Sequence, residues 1–245
     1  MIEGLTEFLP ISSTAHLVLA SKLLHLRTSD FLKSFEISIQ LGAIASIAFL
    51  YWKTLISKWH LNAKIITAFV PTAIIGLAFY KLVKSVLLEN YLISVYALFF
   101  GGIALVIFEL FYREKESNIK ELTDISYKQA LAIGLFQSIS IIPGVSRAAA
   151  TILGGIIVGI KRKTIVEFSF LLAIPTMAGA TGLDLIKSAD SFSRIDVLHL
   201  GVGFAVSFIM ATVSVKLLLR FIQSHSFISF GIYRIIIAIL FLIFY

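Results

Sequence analysis

Six long, nearly uninterrupted apolar runs govern what this chain can become; they lie at about 35–52, 65–83, 91–112, 164–186, 197–219 and 227–245. A helix needs about 20 such residues to cross hydrocarbon. A bilayer offers backbone polar groups no partner but each other, so spans are helices or closed barrels. The alternating ten-residue segments of a barrel are absent. The runs therefore predict an all-α polytopic membrane protein. Only 14% of the residues are charged, against about 25% in soluble domains.

Two further apolar stretches are each broken by a proline and loaded with polar side chains. One runs from Met1 to His16 through Pro10, the other from Gly134 to Arg147 through Pro143. Each continues into a second short apolar piece, at 14–24 and 148–160. Two half-helices joined by a non-helical turn predict a re-entrant hairpin better than a full crossing. The first stretch is no signal peptide, because it lacks a basic n-region and contains Glu3 and Glu7.

The hairpins read as an internal repeat. Pro10-Ile-Ser-Ser13-Thr14 aligns with Pro143-Gly-Val-Ser146-Arg147, and Gly4-Leu-Thr-Glu7 echoes Gly134-Leu-Phe-Gln137. Paired broken helices in the two halves of a chain point to a midplane binding site in an inverted-topology repeat. The expected organisation is one membrane domain, with a first repeat at 1–112, a charged surface linker at 113–126 and a second repeat at 127–245. Loop Lys and Arg residues divide twelve to seven between the two sides, which places the richer side in the cytoplasm. Orientation signals of this kind also account for the net charge of +7 without invoking nucleic acid. With no cysteine in the chain, disulfides, thiolate metal sites and cysteine nucleophiles are excluded.

Ionisable groups in hydrocarbon are costly and mark sites. Glu3 and Glu7 share one helix face, and two adjacent carboxylates coexist best around a cation. Mg²⁺ or Ca²⁺ suits such oxygens; two acids exposed to water at a helix end is the competing reading. Ser12, Ser13 and Thr14 follow Pro10 where a half-helix begins, and helix N-termini bind anions. One of these hydroxyls is explained as an ordinary N-cap. If the turn after Pro10 folds back, His16 reaches Ser13 as general base or acid; a structural hydrogen-bonding role is the competing reading. Arg147, preceded by Gly144 and Ser146, offers a planar fork for phosphate oxygens. Glu36 and Gln40, four apart on the first full span, are candidates to line the same cavity. Glu109, Glu167 and Asp184 sit near span ends, where interface exposure explains them. Arg234 lies mid-span and needs a partner. Tyr51, Trp52, Trp59, Tyr112 and Tyr245 read as interfacial residues.

At these residues the chain resembles the undecaprenyl-diphosphate phosphatase family of the bacitracin-resistance type. Glu3 to His16 matches that family's E-G-L-T-E-F-L-P-[IV]-S-S-T-G-H signature except at Ala15. Pro143 to Thr151 matches P-G-x-S-R-S-G-A-T except at Ala148 and Ala149. Segments around Phe35–Gly42 and Glu167–Pro175 are also similar, so the likeness spans the chain. It implies catalytic roles for Glu3, Glu7, Ser13, His16 and Arg147, with Glu3 and Glu7 holding a divalent cation, Mg²⁺ or Ca²⁺. Substrate contacts are expected from Ser12, Thr14, Glu36, Gln40, Gly144, Ser146 and Thr151. The expected reaction hydrolyses the terminal phosphoanhydride of a long-chain prenyl diphosphate and recycles the lipid carrier of cell-wall glycan synthesis. Ser13, assisted by His16, would attack phosphorus or orient a water. The expected setting is the plasma (inner) membrane, multi-pass, with lipid substrate and bilayer as partners, no nucleic acid, and a homodimer as one allowed assembly. Ala15 and Ala149 are expected to stiffen backbone near the phosphate. The first helix is expected to be preceded by further residues or to leave Glu3 on a frayed end.

Three other readings fare worse. A transporter or flippase for an anionic prenyl-phosphate lipid shares the topology but has little need of a Glu-Glu-Ser-His cluster. The lipid phosphatase class with His six residues after a Ser-Arg fails, because that position is Leu153. A structural membrane component leaves the buried charges unexplained.

Overall fold

The computed structural model describes residues 1–26, 29–87, 90–115, 118–188 and 194–244. Every extended regular element among them is a helix. The first broken stretch folds as α1 (Ile2–Thr6) and α2 (Ser13–Leu23). Then come α3 (Asp30–Leu50), α4 (Trp52–Ser57), α5 (Trp59–Ala78), α6 (Tyr80–Leu82) running into a π-helical turn at Val83–Leu87, and α7 (Tyr91–Phe111). The second broken stretch folds as α8 (Tyr127–Ser138), a 3₁₀ turn at Ile139–Ile141 and α9 (Arg147–Ile157). The chain closes with α10 (Arg162–Ser188), α11 (Arg194–Phe221) and α12 (Ile228–Phe244).

Each predicted span corresponds to a long helix: α3, α5, α7, α10, α11 and α12. Four of these carry stretches long and apolar enough to cross a membrane, within Trp59–Ala78, Tyr91–Phe111, Arg162–Gly182 and Leu198–Phe221. The apolar parts of α3 (Ser34–Leu50) and α12 (Ile228–Phe244) are shorter. Helices α2 and α9 have 11 residues each, which is about 16 Å of rise, or about half the hydrocarbon thickness. Such pieces are too short to cross by themselves. Large apolar side chains on the outer faces, among them Phe49, Ile74, Phe100, Ile209 and Ile243, are exposed. In water that surface would invite association; in a bilayer it is the lipid face.

Several helix pairs keep their counterparts when the two halves are exchanged. α1 packs on α11 as α8 packs on α5, and α3 packs on α11 as α10 packs on α5. α3 meets α10, and α7 meets α12. Matched glycines make the first correspondence close. A Cβ on Gly4 would stand 2.4 Å from the Ser207 carbonyl oxygen of α11, and one on Gly134 would stand 2.0 Å from that of Ala68 in α5. Small residues at such crossings let membrane helices approach backbone to backbone.

Several expectations change here. Glu3 is not on a frayed end: α1 packs on α11 and Glu3 is 0% exposed. Glu109 is not an interface residue. It is buried and its Oε2 accepts from Arg162 Nη2 at 2.8 Å, beneath a guanidinium that also covers the Tyr112 ring. The linker is more than a solvated loop. Its charged residues Arg113 to Lys115 are exposed, but Ile125 is fully buried. Ile119 bridges to the end of α9, donating to the Gly159 carbonyl and accepting from the Lys161 amide. Trp52 and Trp59 are exposed at the corner between α3 and α5, as interfacial residues should be. Arg27 and Tyr245, with the side chains of Lys33, Lys84, Asp184, Lys187 and Arg194, lie outside the described residues.

Candidate functional site

Both half-helices begin the same way. Ser12 caps α2 with φ 69°, and its Oγ accepts from the Ala15 amide; Ser146 caps α9 with φ 78°, and its Oγ accepts from the Ala149 amide. A positive φ is unusual for serine, and it turns the chain sharply out of the hairpin bend. The shared geometry shifts the internal alignment by one residue relative to the proline-anchored one. Ser12 corresponds to Ser146, and Ser13 to Arg147. The physical marker of equivalence is the strained cap rather than the proline.

The consequence is convergence. Ser13 and Arg147 occupy the first position of their helices, and both reach Glu7, which closes α1. Ser13 Oγ donates to Glu7 Oε2, while Arg147 Nη2 donates to Glu7 Oε1 at 3.1 Å. Side-chain exposures of 9% for Arg147 and 8% for Glu7 make this a buried ion pair across 140 residues of sequence. Arg147 Nη1 donates to the Ser169 carbonyl at 2.8 Å, and its guanidinium lies over the Phe8 ring. Its Nε is buried without an acceptor, a spare donor at the edge of the site.

A cavity of about 220 Å³ opens between the two turns. The first hairpin contributes Glu7, Ser12, Ser13 and Thr14; the second contributes Ser140, Pro143, Gly144, Ser146 and Arg147. Gln40 of α3 and Thr176, Met177 and Ala180 of α10 complete it. Drug-sized ligands occupy roughly 300–1,000 Å³, so this space suits a compact head group and leaves any long tail outside. The first-turn amides of α2 and α9 have no intrahelical acceptors and sit at positive dipole ends. Two such ends facing one small cavity are a geometry that suits an anion, with the Arg147 guanidinium between them paired to Glu7.

Glu3, His16, Glu36 and Thr151 do not line this cavity. His16 is turned away: its Nδ1 donates to the Ser12 carbonyl at 2.8 Å, so in the neutral ring Nε2 accepts from the Tyr233 hydroxyl at 2.8 Å. With both nitrogens engaged, His16 is not the hydrogen-bond partner of Ser13; Glu7 is. Thr151 supports α9 from within, donating to the Arg147 carbonyl at 2.8 Å, and Gln137 beside it donates to Thr72 and Thr176. Glu3 has both carboxylate oxygens buried and unpartnered, with Glu7, Glu36 and Arg147 as charged neighbours. Ala15 and Ala149 lie inside regular helix. The left-handed backbone is carried by Ser12, Ser146 and Gly144 instead, so the alanines remove no freedom the turns need.

Sequence reasoning missed Ser140, Thr176 and Tyr233. Ser140 sits within the second broken stretch and Thr176 directly follows Pro175 inside the continuous α10, so a nearby proline was the only local signal for these two, and Tyr233 had none.

The chain is similar to known proteins over nearly its whole length. The sequence model of the family described as bacitracin resistance protein BacA matches residues 1–240. The undecaprenyl-diphosphatase of Aquifex aeolicus is 49% identical over 245 residues, covering 100% of this chain and 95% of its own length. That of a Sulfurihydrogenibium species is 48% identical over 245 residues, with coverage of 100% and 96%. That of a Campylobacter jejuni strain is 44% identical over 246 residues, with coverage of 100% and 91%.

Proposed function

The chain belongs to the bacitracin resistance protein BacA family, and on that premise we propose that it is an undecaprenyl-diphosphatase. It hydrolyses the terminal phosphoanhydride of undecaprenyl diphosphate, releasing the monophosphate and inorganic phosphate. The observation that carries the reading is the pairing of Ser13 and Arg147 on the two oxygens of Glu7, inside a cavity flanked by two helix N-termini.

In this reading the diphosphate head enters the cavity and the prenyl tail stays on the lipid face. The terminal phosphoryl oxygens take hydrogen bonds from Arg147 and the first-turn amides, donors preorganised where negative charge develops. Glu7 Oε2 accepts the Ser13 proton as Oγ attacks phosphorus, and the monophosphate leaves; water then releases phosphate from Ser13. Alternatively, Ser13 and Glu7 orient a water that attacks directly. His16 enters neither proton transfer at Ser13; it braces the Ser12 turn.

A divalent cation, Mg²⁺ or Ca²⁺, fits the acids present. Glu3 offers two buried oxygens without partners, next to Glu7. Among the described residues no three His, Cys, Asp or Glu side chains form a complete cage. Magnesium is commonly held by one or two carboxylates with water and substrate phosphate completing its shell, so Glu3 and Glu7 would suffice. When bound, the ion would neutralise phosphoryl charge. We further place the protein in the plasma (inner) membrane and allow a homodimer as its assembly.

The test is phosphate release from undecaprenyl diphosphate by purified protein in detergent, with and without each cation, beside Glu7→Gln and Arg147→Ala. Metal-dependent release that both substitutions reduce by about 10²-fold or more supports the reading. Folded protein that binds the lipid but frees no phosphate would overturn it in favour of a flippase.

A further inference from the structure

Arg234 of α12 is 1% exposed, and its guanidinium bonds only backbone carbonyls among the described residues. Nε donates to Leu98 at 3.2 Å. Nη1 donates to Pro10 at 3.2 Å and Val145 at 3.1 Å, and Nη2 to Ala97 at 3.1 Å and Gly144 at 3.0 Å. A guanidinium has five N–H groups, and all are used. Pro10 lies in the turn of the first hairpin, Gly144 and Val145 in the turn of the second, and Ala97 and Leu98 in α7. One side chain thus joins both turns to the helix behind them.

The surroundings are shaped to admit it. A Cβ on Gly101 would fall 2.1 Å from Arg234 Nη2 and 2.9 Å from its Cζ. Gly144, at φ 96°, presses so closely on α7 that a Cβ would stand 2.3 Å from the Ser94 carbonyl oxygen. Gly144 also lines the cavity, so the guanidinium grips the far side of its wall. The neighbouring Tyr233 holds His16 on the Ser12 turn. α12 therefore braces both half-helix starts from behind.

We infer that Arg234 is a positioning residue: by tying Pro10 to Gly144 and Val145 it sets the spacing of Ser13 and Arg147 around the bound diphosphate head. This rests on the phosphatase reading for its substrate. Lysine cannot replace the arginine, because an ammonium has three donors and no fixed fork.

Gly101→Ala is the sharpest probe. Its methyl meets the flexible end of Arg234, so the fold should accommodate it, but Nη2 must leave the Ala97 and Gly144 carbonyls. The expected result is a kcat lower by about 10²-fold, the effect of roughly 1 Å of misplacement, with KM for undecaprenyl diphosphate raised by no more than about tenfold and a melting midpoint lowered by the two buried Nη2 donors that lose their acceptors. Arg234→Lys should change in the same direction. In an Arg147→Lys background, Gly101→Ala should cost less than about threefold more, since interacting substitutions are not additive.

Thermal stabilisation by inorganic pyrophosphate provides an arm that does not depend on turnover. Wild type should gain stability, and Gly101→Ala should need about tenfold more pyrophosphate for the same gain, a 1.4 kcal/mol difference. Wild-type protein that shows this pyrophosphate contrast but frees no phosphate would sink the phosphatase reading and leave the positioning role standing. Folded Gly101→Ala protein with kcat and pyrophosphate response within about threefold of wild type would overturn the inference, as would fully multiplicative effects in the Arg147→Lys background. Failure of both variants to fold would also overturn it, making Arg234 a purely structural brace.

Discussion

Glu7→Gln separates the structural worth of the central ion pair from its chemistry. Glutamine keeps the shape and an oxygen for Arg147, but leaves that guanidinium without its carboxylate in a site where both side chains are less than 10% exposed. At 3.1 Å and an effective dielectric of about 20, the lost attraction is about 5 kcal/mol. Desolvation of the pair in the folded state offsets part of that, and breaking buried pairs typically costs about 3–5 kcal/mol. The retained hydrogen bond is worth about 1 kcal/mol, so we expect a net loss of about 3 kcal/mol. For a chain of 245 residues, each kcal/mol moves the midpoint by about 2–4 °C, which predicts a fall of about 6–12 °C in detergent. Removing both charges, in Glu7→Gln with Arg147→Met, should recover about 2 kcal/mol of this, because the guanidinium is then no longer left without its carboxylate. Phosphate release should stay absent in both proteins. Circular-dichroism melts beside a phosphate assay make the comparison. A Glu7→Gln midpoint within about 2 °C of wild type, or a double variant that falls by the sum of the singles, would refute the reasoning.

Other expectations follow from single contacts. Gly42→Ala drives a Cβ to 2.3 Å from the Phe204 carbonyl oxygen, where backbone cannot yield. We expect α3 to be forced off α11 at a cost of about 1–3 kcal/mol, read as a lower melting midpoint. Ser146→Gly loses the cap bond to Ala149 but relieves a φ of 78°; glycine caps cost only a few tenths of a kcal/mol, so its melt should match wild type, whereas Ser146→Ala should lose about 1 kcal/mol. Tyr233→Phe frees His16 Nε2 without touching the cavity, and should lower kcat less than Ser13→Ala in the same phosphate assay. Chelation of divalent cations should stop phosphate release reversibly, and restoring Mg²⁺ or Ca²⁺ should recover it.

Much of this molecule was legible locally because a bilayer removes options. A segment in hydrocarbon must satisfy its own backbone, so run length alone reported α3, α5, α7, α10, α11 and α12. A proline among several polar side chains announced each broken helix, whereas Pro71 and Pro175 lie inside the continuous helices α5 and α10. The polar side chains that meet at the cavity, Glu7, Ser13 and Arg147, were legible too, since they are costly where they stand. What the sequence could not reveal is which atom meets which. Glu7 finds Arg147 across 140 residues, His16 finds Tyr233 across 217, and Arg234 gathers carbonyls from three distant segments. Spacing along the chain placed His16 beside Ser13, but the Ser12 carbonyl and Tyr233 turn its ring elsewhere. The proline-anchored repeat was one residue out because the helix starts are set by the left-handed serines, whose backbone angles depend on packing around the turns. Local pattern determined the elements and the inventory of polar groups, because the membrane prices each group where it sits. Only tertiary packing decided the site, because a hydrogen bond is a matter of tenths of an ångström between segments that sequence leaves far apart.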